Sequence, residues 1–264
     1  MNDFNFHRPK DVAGAVATLK KAAEGKYLGG GQSLLPVMKL GLATPTDLVS
    51  LAGLAALKAI TVEGQTLVVG AGATHAEVAA SAVVKKAIPA LAALAAHIGD
   101  PQVRNRGTLG GSLAHNDPSA DYPAAVLALG AVVQTDRRTI PADAFFKGLY
   151  QTALQPDEVI TAVRFGVPEK AAYAKFPHPA SKFALVGVMV AKGPAGLRVA
   201  VTGAGPGVYR VADMEKALSA RFTADALAGV KVTATGLNGD SFASAEYRAH
   251  LVGVMARRAV AACG

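Results

Sequence analysis

One cysteine, no tryptophan and no long apolar run set the first limits on this chain. Cys263 stands next to the C-terminus without an intrachain partner. The chain therefore closes no disulfide within itself and cannot supply the thiolates of a Cys-rich zinc site or an iron–sulfur cluster. Imidazole ligation is no better provided for, because His7, His75, His97, His115, His178 and His250 occur without HxH or HExxH spacing. No metal site is expected. The alanine-rich stretch KKAIPALAALAAHIG is broken by Pro89 and ends at His97. It falls short of the roughly 18 to 20 apolar residues that cross a bilayer. The opening MNDFNFHRPKD carries two acids and no apolar h-region, so it does not read as a signal peptide. A cytoplasmic location is expected, free or at the inner face of the membrane through a complex.

What is present is a 264-residue chain with 51% apolar and 17% charged residues, the balance of a folded globular protein of one large or two modest domains. The net charge of +8 raises nucleic acid as a partner. Yet the basic residues come mostly as scattered pairs, Lys20-Lys21, Lys85-Lys86, Arg137-Arg138 and Arg257-Arg258, with few aromatics to stack on bases. Solvated faces, with some attraction to an anionic ligand or an acidic partner, account for the charge, and no nucleic acid is expected.

Periodicity predicts a helix from Asp11 to about Glu24 with Gly25 as its stop, then a short strand entering the turn of KYLGGGQSLLPVMKL. A hairpin over Leu57 to Ala73 turns at Glu63-Gly64-Gln65, and weak alanine-rich helices fill Ala76 to His97. DPQVRNRGTLGGSLAHNDPSAD, from Asp100 to Asp121, fits neither an ordinary helix nor a strand and reads as a loop. Beyond it come a helix over Ala124 to Leu129, a hairpin AVVQTD/RRTIPA and the strand VITAVRFGVP closed by Pro168. Two β-rich runs joined by Gly193-Pro194-Ala195-Gly196 follow, then helices around Met214 to Ala220 and Ser241 to Ala262. The Pro-Glu-Lys turn at 168–170 marks a boundary between an N-terminal α+β region and a smaller sheet-and-helix domain.

Two glycine-rich segments carry the chemistry. In Leu28-Gly29-Gly30-Gly31-Gln32-Ser33-Leu34, three residues without Cβ let successive N–H groups converge on an anion; the same turn also serves as a plain flexible connection. Its spacing is neither the GxGxxG of a Rossmann unit nor a P-loop. Gly107-Thr108-Leu109-Gly110-Gly111-Ser112 repeats the device, and positive φ is expected at Gly30 and Gly111. Two such loops suit a dinucleotide pyrophosphate. Asp121 reads either as an acceptor for a ribose or ribityl hydroxyl or as a helix N-cap before Tyr122-Pro123. His75, His97 and His115 read as hydrogen-bonded within the fold or beside a cofactor, and His115, just past the second loop, as cofactor-contacting.

GGGQSLLPVMKL, GAGATHAEV, IGDPQVRNRGTLGGSLAHNDPSADYPAAVLALGA, ADAFFKGL, LQPDEVITAVRF and AYAKFPHPASKFALVGVMVA occur in this order. Together they resemble the FAD-binding medium subunits of molybdenum hydroxylases, of the carbon monoxide dehydrogenase and xanthine dehydrogenase kind. The likeness runs from Phe4 to about Ala204 and weakens in the C-terminal helices. It implies an α+β fold: a two-subdomain FAD-binding domain of the vanillyl-alcohol oxidase and UDP-N-acetylmuramate dehydrogenase type, residues 1–57 and 58–168, followed by a carbon monoxide dehydrogenase flavoprotein-like domain, 169–264.

The resemblance further implies that Leu28 through Leu34 and Thr108, Gly110, Gly111 and Ser112 grip the FAD pyrophosphate, with Ala73, Ile98, Gly99 and His115 beside the cofactor. Asp121 takes the ribityl or ribose acceptor role, Val159-Ile160 packs on the flavin or adenine region, and Lys175 reaches the flavin side. No residue is assigned as catalytic. The implied partners are a large molybdenum-cofactor subunit and a small 2Fe-2S subunit, as a dimer of heterotrimers, plus an electron acceptor of the NAD⁺ or quinone kind. Two departures from the family pattern bear on acceptor docking: Gly41 after Met38-Lys39-Leu40, where many relatives carry Arg, and Phe176-Pro177-His178-Pro179 after Lys175. A stand-alone flavin-dependent oxidoreductase is the alternative.

Overall fold

The structure, a computed structural model, describes residues 2–263. The first unit comprises β1 (Asn5–His7), α1 (Val12–Leu19), β2 (Gly25–Leu28), α2 (Leu34–Lys39) and β3 (Asp47–Ser50). Its parallel sheet has the order β1-β3-β2. Asp11 caps α1 by accepting from the Gly14 N–H at 2.7 Å, and Ala15 and Leu19 then pack on Val49, Leu54 and Leu57. α1 ends at Leu19 and not near Glu24. Gly25, expected as a helix stop, opens β2 instead; a Cβ there would lie 2.7 Å from Leu19 Cδ1. Its missing side chain lets the strand cross the last turn of the helix.

The second unit begins with the expected hairpin, β4 (Ile60–Glu63) and β5 (Thr66–Gly70). The alanine-rich stretch forms α3 (His75–Ala80), α4 (Ala82–Ala87) and α5 (Pro89–Ala96). The segment expected as a loop holds α6 (Pro101–Arg104) and α7 (Leu109–His115), then runs into α8 (Tyr122–Ala128). The cause is local: the polar and small residues of this segment are capping residues. Asp100 accepts from the Val103 N–H at 2.8 Å with Pro101 following it, and Thr108 accepts from the Gly111 N–H at 3.1 Å. Then come β6 (Val132–Thr135), β7 (Thr139–Pro141), α9 (Ala142–Phe145), β8 (Phe146–Gly148), β9 (Gln151–Thr152) and β10 (Ile160–Gly166). The antiparallel sheet has the order β4-β5-β10-β6-β7. Leu91, Leu94, Leu109, Leu113, Tyr122, Phe145 and Phe165 fill its core.

Glu158 ties the approach to β10 to the β6–β7 turn. Its carboxylate accepts from Arg138 Nε and Nη2, both at 2.9 Å, from Thr135 Oγ1 at 2.8 Å and from the Gln155 N–H at 2.9 Å. These bonds, led by the guanidinium of Arg138, hold its pKa at about 2, below the ordinary 4.5. A depressed carboxylate stabilises the fold fully above its unfolded pKa and loses that contribution as pH falls through the folded one. Thermal melts should therefore show wild type losing its advantage over Glu158→Gln between about pH 4.5 and 2. A difference independent of pH in that window would contradict the assignment.

The third unit comprises β11 (Lys170–Pro177), β12 (Ala184–Gly193), β13 (Gly196–Thr202), β14 (Tyr209–Arg210), α10 (Ala212–Ala220) and α11 (Ala245–Ala262). Its antiparallel sheet runs β11-β12-β13-β14. β12 reads as an unbroken apolar run because both its faces are buried. Met189 and Ala191 join the core of the second unit, while Val186, Val188 and Val190 pack beneath Met214, Leu251, Val252 and Met255. The turn at Pro168-Glu169 thus changes sheets without interrupting the core.

Candidate functional site

Loops from all three units enclose one cleft of about 950 Å³. They are the β2–α2 loop, the β5–α3 turn, the segments before α6 and α7, the approach to β10, and Ser181–Phe183 between β11 and β12. Two of these loops stack backbone on backbone. A Cβ on Gly30 would lie 2.0 Å from the Arg106 carbonyl oxygen, and one on Gly110 would lie 2.6 Å from the Ala71 Cβ. The second loop is fastened by backbone bonds to the β5–α3 turn: His75 N–H to Gly107 O at 2.9 Å, Leu109 N–H to Ala73 O at 3.0 Å, and Gly110 N–H to Ala71 O at 2.8 Å. Glycine is needed here for close approach. Neither Gly30 nor Gly111 has the expected positive φ; in this neighbourhood it falls at Gly31 (φ +75°) and Gly99 (φ +51°).

Stacking leaves a row of donors. Among the described residues, the backbone N–H groups of Gly29 through Ser33 find no acceptor within the protein. Ser33 precedes α2 without capping it. Arg106, on the facing loop, lines the cleft and makes no ion pair among the described residues. Arg104, two residues earlier, turns inward, donating through Nη1 to Ile98 O and Gly99 O, both at 3.1 Å. It thereby fixes the Ile98–Gly99 wall. Unpartnered amides beside a cation, in a cleft of this size, fit the pyrophosphate of an FAD.

Of the residues expected at the cofactor, all but Ala73 and Lys175 line this cleft. Ala73 is fully buried one residue behind the wall, where its carbonyl holds Leu109. The Lys175 side chain is buried as well, its Nζ donating to Asp121 Oδ2 at 2.9 Å and to His97 O at 3.1 Å. Asp121 begins α8 but its side chain makes no capping bond. The carboxylate instead takes Lys175 on one oxygen and the Tyr173 hydroxyl on the other, and Asp121 lines the cleft. Burial pushes its pKa above the usual aspartate range, while the Lys175 ammonium and the Tyr173 hydroxyl pull it down.

His115 lines the cleft with its ring 5.0 Å from that of Tyr150. His75 also lines it and is held neutral, its pKa lowered to about 4 by burial and by the charge of Arg104. Arg106 and Ser181–Phe183 are lining residues that the sequence reading did not assign. For Arg106 the signal was visible, a second arginine directly before Gly107. The Ser181–Phe183 wall is shaped by His178, whose Nδ1 accepts from the N–H groups of Ala180 and Ser181 at 3.2 and 3.1 Å. Nothing local to that segment announces that it folds back over the cleft.

Among the described residues no His, Cys, Asp or Glu cluster is arranged to hold a metal, and no helix is long and apolar enough to cross a membrane. Residues 2–168 match the FAD binding domain in molybdopterin dehydrogenase. The chain is 37% identical to the carbon monoxide dehydrogenase medium chain of Hydrogenophaga pseudoflava, over 97% of its own length and 96% of the relative's. It is also 37% identical to the nicotine 6-hydroxylase medium subunit of Paenarthrobacter nicotinovorans, over 98% and 96%. It superposes on a chain of the reconstituted CO dehydrogenase from Oligotropha carboxidovorans with a TM-score of 0.91 at 32% identity, covering 99% of this chain and 98% of that one. Similarity therefore continues past Ala204 into the C-terminal helices, which corrects the narrower span expected from motifs. The chain belongs to the FAD-binding medium subunits of the molybdenum hydroxylases and is an oxidoreductase subunit with FAD as its cofactor.

Proposed function

We propose that this chain is the terminal electron relay of a heteromeric hydroxylase. A large partner would oxidise substrate at a molybdenum cofactor, a small partner would pass electrons through 2Fe-2S clusters, and this chain would deliver them to an external acceptor. A dimer of such heterotrimers is the assembly we favour. The observation that carries the reading is the stacked pair of glycine loops, with its row of unpartnered amides, in a chain whose near full-length relatives are medium subunits. FAD, when bound, supplies a carrier that exchanges electrons singly or in pairs.

The protein's part is binding and placement. Gly29 through Ser33 and the Thr108–Ser112 turn hold the pyrophosphate, helped by Arg106. Val159 and Ile160, which line the cleft, pack on the flavin or the adenine. Asp121 accepts from a ribityl or ribose hydroxyl, and Lys175 serves that carboxylate from behind without reaching the cofactor. Asp121→Asn keeps the side chain's shape but removes its charge, whereas Asp121→Ala would strand the buried Lys175 ammonium. The Asn variant is expected to bind FAD about 1 to 3 kcal/mol more weakly in a fluorescence titration. Unchanged affinity would remove Asp121 from the cofactor contacts. Purification of the native complex, with metal analysis of the co-purifying subunits, tests the relay itself.

A further inference from the structure

Behind the cleft, at the junction of the C-terminal sheet with α8, lies a polar network that the glycine loops do not use. Tyr173 and Lys175 stand two residues apart on β11 and so share a face of the sheet. The Tyr173 hydroxyl donates to Asp121 Oδ1 at 2.5 Å, opposite the Lys175 bond to Oδ2. Asp121 is 3% exposed. Between them the two donors fix both oxygens of a carboxylate that accepts about four hydrogen bonds, leaving one lone pair on each oxygen.

The neighbouring strand makes room for this arrangement. Gly187 of β12 pairs with Lys175, and a Cβ on Gly187 would lie 2.1 Å from the Tyr173 hydroxyl oxygen. That hydroxyl reaches Asp121 only because position 187 carries no side chain. Among the described residues the phenol's one hydrogen bond is the bond to Asp121.

We infer that Tyr173 is a positioning residue of the cofactor site, acting through Asp121 by turning its remaining lone pairs toward the hydroxyls of a bound FAD. This rests on the reading of the cleft as an FAD site and extends that site beyond residue 168 into the C-terminal sheet. Burial is the largest influence on the carboxylate and raises its pKa, and the Lys175 ammonium, the Tyr173 hydroxyl and His97 oppose it, so the two donors from β11 work toward the ionised, purely accepting form. The Tyr122 hydroxyl, buried beside it on α8, finds no hydrogen-bond partner among the described residues.

A double-mutant cycle read by FAD titration tests the inference, with Tyr173→Phe, Asp121→Asn and the double variant beside wild type. Tyr173→Phe is expected to weaken FAD binding about tenfold when Asp121 is present and less than about twofold when it is Asn. The long-wavelength flavin band should shift in the first case only. Gly187→Ala keeps the phenol but displaces its hydroxyl, and should reproduce the Tyr173→Phe loss. Melting temperatures of the apoproteins report folding separately. Equal losses in both Asp121 backgrounds, or wild-type affinity in Tyr173→Phe, would overturn the inference while leaving the FAD site intact. A wild-type chain that binds no FAD would overturn both.

Discussion

Gly30→Val is expected to yield a protein that retains no FAD through gel filtration. The Gly30 Cβ would lie 2.0 Å from the Arg106 carbonyl oxygen and 2.7 Å from the Gly107 Cα, both backbone atoms that cannot swing aside. To admit a branched side chain the two loops must separate by more than an ångström, about the displacement at which hydrogen-bonding geometry fails. The unpartnered amides of Gly29 through Ser33 are then displaced from the loop that carries Arg106. Gly111→Val is the informative contrast. Its Cβ meets only the Thr108 hydroxyl, at 2.8 Å, which a side-chain rotation relieves at the expense of the cap on α7. Weakened but measurable binding is expected there. The ratio of protein to flavin absorbance in the purified variants decides the matter, and stoichiometric FAD in Gly30→Val would refute the pyrophosphate assignment.

The glycine loops were legible because a run of residues without Cβ has few uses, and two such runs narrow them further. The reason each glycine is needed was not legible. Gly30 and Gly111 suggest left-handed backbone, while the structure shows Gly30 pressed against a loop some 75 residues away in sequence, a proximity no local pattern encodes. The same limit hid the partners of Lys175. Its place near the cofactor followed from resemblance, but its direction depends on where α8 meets β11, and there the ammonium turns to Asp121 and His97.

Capping chemistry accounts for the misread segment at 100–121. Asp100-Pro101 and Thr108 look like loop residues and are helix starts, which hides α6 and α7, although Thr108, Gly110, Gly111 and Ser112 do line the cleft. β12 shows the reverse case: its unbroken apolar run was read correctly as a strand, and the burial of both faces explains why it lacks alternation.

In isolation the chain is expected to be inert toward organic substrates. FAD is its cofactor, its single cysteine can build no iron–sulfur cluster, and in the proposed relay oxidation of an organic substrate belongs to the molybdenum partner. The deciding measurement is anaerobic mixing of the FAD-reconstituted chain with the substrates that the native complex oxidises, while following flavin absorbance near about 450 nm. Dithionite serves as the control that the bound flavin is reducible. The account predicts no bleaching by any organic substrate until both the molybdenum and the iron–sulfur subunits are added, and rapid bleaching thereafter. Bleaching of the isolated chain by an organic substrate would contradict it and establish a stand-alone flavin oxidoreductase.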